Sequence, residues 1–302
     1  MRDDGVGSGL GTGEGVFSGQ VDVLRGGSGV VLFDKPAGVT SHDVVAGVRR
    51  ARRGIRVGHS GTLDPFATGL LLILLGRATK VQRFLMALPK AYEVTVRFGA
   101  VSTTGDLEGE IRPTGVVPDG DLELPTGLVR QRPPAFSAVK VGGRRAYALA
   151  RAGVEVDLPE REVNVYRFEE LSREADQRRF AIECSSGTYV RSLVADLGDA
   201  YCVELRRLAI GSFDVRDANP EAVIDLDNAL SFLPEVRLAP EQARHASHGA
   251  TVPGEASSVG AEDPALASRV LRLTDEHGLI ALAQAVAGDP GALKPIVALR
   301  PC

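Results

Sequence analysis

Between Val44 and Tyr92 the chain carries nine lysines and arginines and a single acid, Asp64. That carboxylate sits in Gly61-Thr62-Leu63-Asp64-Pro65-Phe66-Ala67-Thr68-Gly69-Leu70, a turn stiffened by Pro65 and followed by an apolar run. The whole chain has 39 acids against 35 lysines and arginines, so composition does not explain this local exclusion of acids. A basic surface attracts a polyanion, and phosphate repels a carboxylate embedded in that surface. Asp64 therefore reads as a group with chemistry to do, an ionised nucleophile facing a nucleic acid. The bland alternative is a turn aspartate that fixes the backbone ahead of Pro65. Arg191 is the second conspicuous charge. It falls in the first turn of a helical pattern marked by Val190, Leu193, Val194 and Leu197, where the dipole disfavours a cation. An anionic partner accounts for that placement better than a surface position does.

The chain has 302 residues, enough for one large domain and a small one. The net charge of −4 argues against a polyanion partner until its distribution is read. From Asp214 onward there are 13 acids and 7 lysines and arginines. A second acid-free run holds Arg130, Arg132, Lys140, Arg144, Arg145 and Arg151. Phosphate contacts are expected from this run and from Arg49 to Arg56, with binding that weakens steeply as salt rises. Cys184, Cys202 and Cys302 stand far apart, which argues against a zinc site or a disulfide framework and fits a reducing cytoplasm. The longest strongly apolar run, Leu70 to Leu75, is far too short for a membrane span, and no secretory leader is recognisable.

The elements that must position these residues follow from pattern. Ten glycines among residues 1 to 29 predict a disordered start. A strand is expected over 29–33, then a helix to about Arg53 capped by Thr40 or Ser41. Leu70 to Leu75 reads as a buried strand, Ala78 to Leu88 as a helix and Tyr92 to Phe98 as a half-buried strand. Residues 101 to 127 read as a long loop, and Tyr147 to Ala152 as a short helix. Strands are expected at Val163 to Phe168 and Arg179 to Cys184, before the helix that carries Arg191. Residues 214 to 233 read as a connector with one helix. Short Val/Leu runs after Val236 predict a small β-rich domain.

Six stretches in chain order resemble the TruB family of tRNA pseudouridine synthases. They are Phe33-Asp34-Lys35-Pro36-Ala37-Gly38-Val39-Thr40-Ser41, Val57-Gly58-His59-Ser60-Gly61-Thr62-Leu63-Asp64-Pro65-Phe66-Ala67-Thr68-Gly69-Leu70-Leu71, Lys90-Ala91-Tyr92, Ser137-Ala138-Val139-Lys140, Ser186-Gly187-Thr188-Tyr189-Val190-Arg191-Ser192-Leu193 and Leu205-Arg206-Arg207-Leu208. The resemblance covers about residues 29 to 213 and is loose beyond. Ser60 and Thr62 stand where relatives often have Thr and Ala.

The resemblance implies an α+β pseudouridine synthase fold: a mixed, mainly antiparallel central sheet flanked by helices and loops, with a small β-rich PUA-like C-terminal domain. The implied divisions are a tail at 1–28, a catalytic domain at 29–233 with a basic insertion at about 128–160, and the small domain at 234–302. The implied activity is isomerisation of uridine 55 in the T-loop of tRNA, by base flipping, glycosidic cleavage and formation of a C5–C1′ bond.

By the same resemblance Asp64 is the catalytic aspartate, Arg191 its guanidinium partner, and Tyr92 stacks on the uracil and takes the C5 proton. Tyr189 and Leu205 contact the nucleotide, His59 fills the space the flipped base leaves, and Lys35 lies near the site. Tyr92 also fits an edge position in the core, His59 a satisfied loop histidine, and Lys35 a plain Lys-Pro turn. Arg49, Arg50, Arg52, Arg53, Arg56, Lys140, Arg144 and Arg145 are candidates for the RNA backbone. No cofactor or metal is implied, the partner is the T-arm of tRNA, and a monomer without an obligatory protein partner or membrane is expected. Two other classes remain. A glycoside or nucleoside hydrolase needs a second carboxylate about 5–9 Å from the first. A non-catalytic RNA-binding chaperone needs no aspartate at all.

Overall fold

The computed structural model describes residues 27–137, 139–154, 156–254 and 270–300. The disorder expected of residues 1–28 therefore concerns, as far as residue 26, a segment outside the described residues. The N-terminal half runs β1 (Gly29–Lys35), α1 (Ser41–Ala51), β2 (Val57–His59), β3 (Thr68–Leu75), α2 (Gln82–Ala87), β4 (Lys90–Phe98), β5 (Ala100–Ser102), β6 (Ile111–Pro113) and β7 (Gly127–Gln131). Next come β8 (Lys140–Val141), β9 (Arg144–Arg145), α3 (Ala146–Arg151), β10 (Arg161–Glu174), β11 (Gln177–Cys184), α4 (Val190–Ala195), β12 (Ala200–Ile210) and β13 (Phe213–Asp214). The remainder is α5 (Leu226–Ala229), β14 (Glu235–Arg237), α6 (Pro240–Ser247), β15 (Val252–Pro253), β16 (Leu271–Asp275), β17 (Gly278–Val286) and β18 (Asp289–Ala298).

A nine-stranded sheet dominates, in the order β1-β3-β12-β4-β11-β10-β7, with β2 paired to β3 and β13 to β12. Its one parallel contact is short: Arg206 and Arg207 of β12 lie beside Thr68 and Gly69 of β3. That seam joins the two halves of the sheet, and it ends at the turn that carries Asp64. Leu70 to Leu75 of β3 are all 0–1% exposed, as an uninterrupted apolar strand must be. Each such leucine contributes about 2 kcal/mol through burial. Lys90, Tyr92, Val94, Val96 and Phe98 alternate inward along β4.

Thr40 caps α1 in a full capping box with Asp43, worth about 1 kcal/mol. The helix ends at Ala51, so Arg49 and Arg50 lie in its last turn and Arg52 and Arg53 beyond it.

Several expectations need correction. The helix expected over Ala78 to Leu88 begins as a 3-10 turn at Gly76–Val81 and is α-helical only over α2. The long loop over 101–127 contains the β5–β6 hairpin. The strand pair expected after Val163 is longer, because β10 and β11 extend as a charged hairpin to Glu174 and Gln177. The central strand β12 had no counterpart in the pattern reading.

The C-terminal part forms its own five-stranded sheet, β14-β16-β17-β18-β15, covered by α6. Its Leu282 and Leu299 nevertheless join the cluster of Leu70, Leu72, Leu74 and Phe84. Arg77 Nη1 also donates to Leu299 O at 2.9 Å. No helix among the described residues is long and apolar enough to cross a membrane.

Candidate active site

The Asp64 turn is stitched from several sides. Ser41, buried at the start of α1, accepts from Leu63 N at 2.9 Å and donates to Leu63 O at 3.2 Å. Gly38 N and Lys35 Nζ donate to Pro65 O at 2.8 and 3.3 Å. Ser60 N donates to Leu72 O at 3.0 Å, and Ala67 N closes the turn on Asp64 O at 3.1 Å. From the sheet, Arg207 donates to Gly61 O, Thr62 O and Leu70 O at 3.2, 3.5 and 2.7 Å.

Arg191 Nε lies 2.9 Å from Oδ2 of Asp64, and its Nη1 lies 3.3 Å from Oδ2 of Asp106. Nη1 also donates to Thr104 O at 2.6 Å, and Nη2 to Phe136 O at 2.9 Å. The Nε contact is an ion pair off the N–H axis, since that nitrogen makes no aligned hydrogen bond. Gly105 has φ +75° and packs against the Arg191 stem, its Cβ position 3.5 Å from that of the arginine. The anion inferred from the awkward helix position is thus found twice. Arg191 and Asp106 are buried, and the Asp64 side chain is 31% exposed.

About two thirds of the Asp64 side-chain surface is enclosed by protein. Burial raises its pKa above the usual carboxylate range; Arg191 opposes the rise, Asp106 adds to it, and Lys35 opposes it. Asp64 is therefore less isolated among cations than the sequence suggests. The β5–β6 hairpin brings in Asp106, and the exposed Glu108 follows, its own pKa raised by partial burial and then by Asp106 and Asp64.

Tyr92 and Leu205 join Leu63, Ala67 and Val190 in one apolar cluster. Tyr92 is 8% exposed, so its body is core, and it lies opposite Arg207 in the β12–β4 pair. Burial raises the phenol pKa, and Arg207 pulls against that rise. Lys35 is fully buried, donates to the carbonyls of Pro36, Val39 and Pro65, and is pushed down to about 8 by burial, with Asp64 opposing. It serves both the Lys-Pro turn and the surroundings of Asp64.

Burial lowers the His59 pKa, with His42 and Arg207 adding to the effect, so the imidazole is neutral at neutral pH. Among the described residues its Nδ1 is buried without a hydrogen-bond partner, as is Oγ of Ser137. Tyr189 caps α4; Gln131 grips its backbone, accepting at 2.7 Å and donating at 2.9 Å, and the Arg161 guanidinium sits 4.7 Å over its ring.

The structure brings Asp64, Arg191, Lys35, Tyr92 and Leu205 together, with His59 beside the same turn and Tyr189 one residue before the helix. The arginines of α1 are not part of that group. With about 1.5 Å of rise per residue, Arg50 lies about 14 Å along the helix from Ser41. Arg49, Arg50, Arg53 and Arg56 are exposed and Arg52 is half-buried. Arg144 and Arg145 form β9 and are exposed, and Arg145 acts electrostatically on His59. The side chain of Lys140 lies outside the described residues.

Asp106 and Arg207 carry much of this geometry without having been singled out from sequence. Asp106 sits inside an expected loop, and only the Thr103-Thr104-Gly105-Asp106 turn pattern marked it. Arg207 lay within a quoted motif with no role attached.

Comparison with known proteins points to the family that the six motifs resemble. The family model described as TruB family pseudouridylate synthase (N terminal domain) matches residues 49–190. The chain is 43% identical over 251 residues to a tRNA pseudouridine synthase B of Leifsonia xyli subsp. xyli, spanning 74% of this chain and 83% of that protein. It is 42% identical over 254 residues to the protein of that name from Mycobacterium tuberculosis (strain ATCC 25618 / H37Rv), spanning 75% and 85%. Among solved structures, a chain in the crystal structure of a Cbf5-Nop10-Gar1 complex superposes with a TM-score of 0.66 at 25% identity, covering 90% of this chain and 85% of that one.

Proposed function

The chain belongs to the TruB family of pseudouridylate synthases, and from that premise we propose that it converts uridine 55 in the T-loop of tRNA to pseudouridine. The observation that carries this reading is Asp64 itself. It is the partly open end of the Asp64–Arg191–Asp106 chain of charges, fixed by Ser41, Lys35, Gly38 and Arg207. A carboxylate held so firmly, yet with its side chain partly exposed, suits attack on a nucleoside brought to it.

The target base is stacked within the folded T-arm, so the nucleotide must be extruded at a cost of a few kcal/mol. The exposed arginines of α1 and β9 offset part of that cost through phosphate contacts. Tyr92 and Leu205 offer an apolar surface to the uracil, and Tyr189 flanks Arg191. His59 Nδ1 and Ser137 Oγ, without hydrogen-bond partners among the described residues, suit polar contacts with the RNA.

Asp64 then supports cleavage of the N-glycosidic bond. The uracil turns over, C5 bonds to C1′, and the C5 proton leaves toward Tyr92. The substrate supplies every atom of the product. We assign the five-stranded unit after residue 234 as a PUA-like module and the protein as a cytoplasmic monomer.

A hydrolase needs a second catalytic carboxylate with access to substrate. Asp106 is buried behind Arg191, which leaves Glu108 as the exposed acid. The test is tritium release from C5 of uridine in a tRNA transcript. Wild type releases tritium without releasing uracil, and Asp64→Asn releases none. Free uracil in the wild-type reaction identifies a hydrolase, and unaffected release by Asp64→Asn removes Asp64 from the chemistry.

A further inference from the structure

Arg207 is the most buried arginine near the site, at 1% exposure, and its hydrogen bonds run to backbone carbonyls. It lies directly opposite Tyr92 in the antiparallel β12–β4 pair, so both side chains rise from the same face of the sheet. Its guanidinium has five N–H donors. Three distinct carbonyls take Nε, Nη1 and Nη2: those of Leu70, Thr62 and Gly61. Its charge also acts on the Tyr92 hydroxyl.

The backbone of Arg207 is fixed as firmly. At Gly69, φ is +102°, and a Cβ there would sit 2.2 Å from Arg207 O and 2.7 Å from Arg207 N. Only glycine allows this crossing of β3 and β12. The guanidinium is thereby held between the aspartate turn and the tyrosine.

We propose that Arg207 is a positioning residue for the isomerisation: it locks the Asp64 turn to the sheet and holds the Tyr92 oxygen as acceptor of the C5 proton. The inference rests on the pseudouridine synthase reading of Asp64 and Tyr92. After C1′ has joined C5, that carbon still carries its hydrogen, and N1 is doubly bonded to C6. Tyr92 oxygen, as phenolate, takes the hydrogen as a proton. The C–H pair becomes the C5=C6 bond, the former N1=C6 pair moves to N1, and N1 gains a proton. One proton leaves carbon and one reaches nitrogen, so no oxidant or further reactant is required.

Burial opposes a phenolate at Tyr92, and Arg207 is the first group that counters it. Arg207 also acts on His59, Lys35 and Lys90, so its charge reaches most titratable groups around the base.

The test compares Arg207→Gln, Arg207→Lys and Tyr92→Phe on tRNA transcripts carrying protium or deuterium at C5 of uridine. Arg207→Gln is expected to lower kcat by about 10²-fold. KM stays within about two-fold, because the side chain faces the turn and the tyrosine rather than the RNA backbone. A C5 deuterium effect on turnover appears or grows, and the pH–rate profile moves to higher pH. Arg207→Lys restores part of the rate and of the profile, and it carries the test if the glutamine variant does not fold. A loss of rate that only tracks the folded fraction, with isotope effect and pH profile unchanged in the folded variant, overturns the proposal. Normal turnover by Tyr92→Phe instead refutes the reading of Tyr92 on which it rests, and the two failures are thereby told apart.

Discussion

Two buried arginines, one from α4 and one from β12, meet the Asp64 turn, and their charges are balanced differently. Arg191 is flanked by two carboxylates and two carbonyls. The carbonyls of Gly61, Thr62 and Leu70 are the hydrogen-bond partners of Arg207, whose charge also acts on Tyr92. The lysines near Arg207 resemble it. Lys35 and Lys90 are buried and donate to backbone carbonyls, and burial pushes them down to about 8 and about 7. One wall of the site therefore holds an ion-pair network of two carboxylates about one guanidinium, and the other carries cations met by dipoles. Under the proposed function the first wall aims a nucleophile, and the second favours negative charge that develops on the base.

The sharpest way to break this contrast is at the exposed end of the network. Asp64→Asn is expected to lower kcat by roughly 10⁴-fold or more, while the Kd for tRNA measured by filter binding stays nearly constant. A tenfold weaker Kd shows instead that Asp64 is part of the binding surface. Arg191→Lys keeps the charge but cannot span two carboxylates and two carbonyls, and a 10²- to 10³-fold loss of rate, roughly, is expected in single-turnover assays. An unchanged rate and pH profile dissolve the network argument.

Asp106→Ala strikes the buried end. It removes a partner from a buried pair, and urea unfolding should show about 3–5 kcal/mol less stability. Little change there means that Asp64 and the carbonyls suffice for Arg191.

Legibility from sequence divides along the same line. Leu70 to Leu75 and the alternation from Tyr92 to Phe98 announce their strands because apolar burial is written residue by residue. Strand β12 was hidden, since Glu204, Arg206 and Arg207 interrupt the apolar period, and Arg207 is buried because of partners 137 to 146 residues away. Asp64 stood out through local contrast, and Arg191 through its poor fit to a helix start. Asp106 offered no such conflict: a turn aspartate beside Thr104 and Gly105 satisfies local rules, and only the folded hairpin reveals its partner. The arginines of α1 were legible as a basic face, but their distance from the Asp64 turn depends on helix length and direction.

The second wall is sharpened by pH. The folded pKa of Lys90, about 7, lies below its ordinary value of 10.5. Below pH 7 the amine is charged in both the folded and unfolded states. Between about 7 and 10.5 the unfolded chain binds the extra proton, so wild type gains stability relative to Lys90→Met as pH rises through that window. The gain is at most about 1.4 kcal/mol per pH unit, read from melting curves of the two proteins. A flat difference places Lys90 outside the low-dielectric wall. The smallest effect belongs to the periphery: each of Arg144→Ala and Arg53→Ala should reduce the slope of log K against log salt by about 1, with kcat unaltered.

The most direct measurement is base-specific mapping of an unmodified tRNA transcript after incubation with the purified protein. The account predicts one pseudouridine, at position 55 of the T-loop, in RNA of unchanged mass. An unmodified T-loop, or an abasic site with free uracil beside it, contradicts the account.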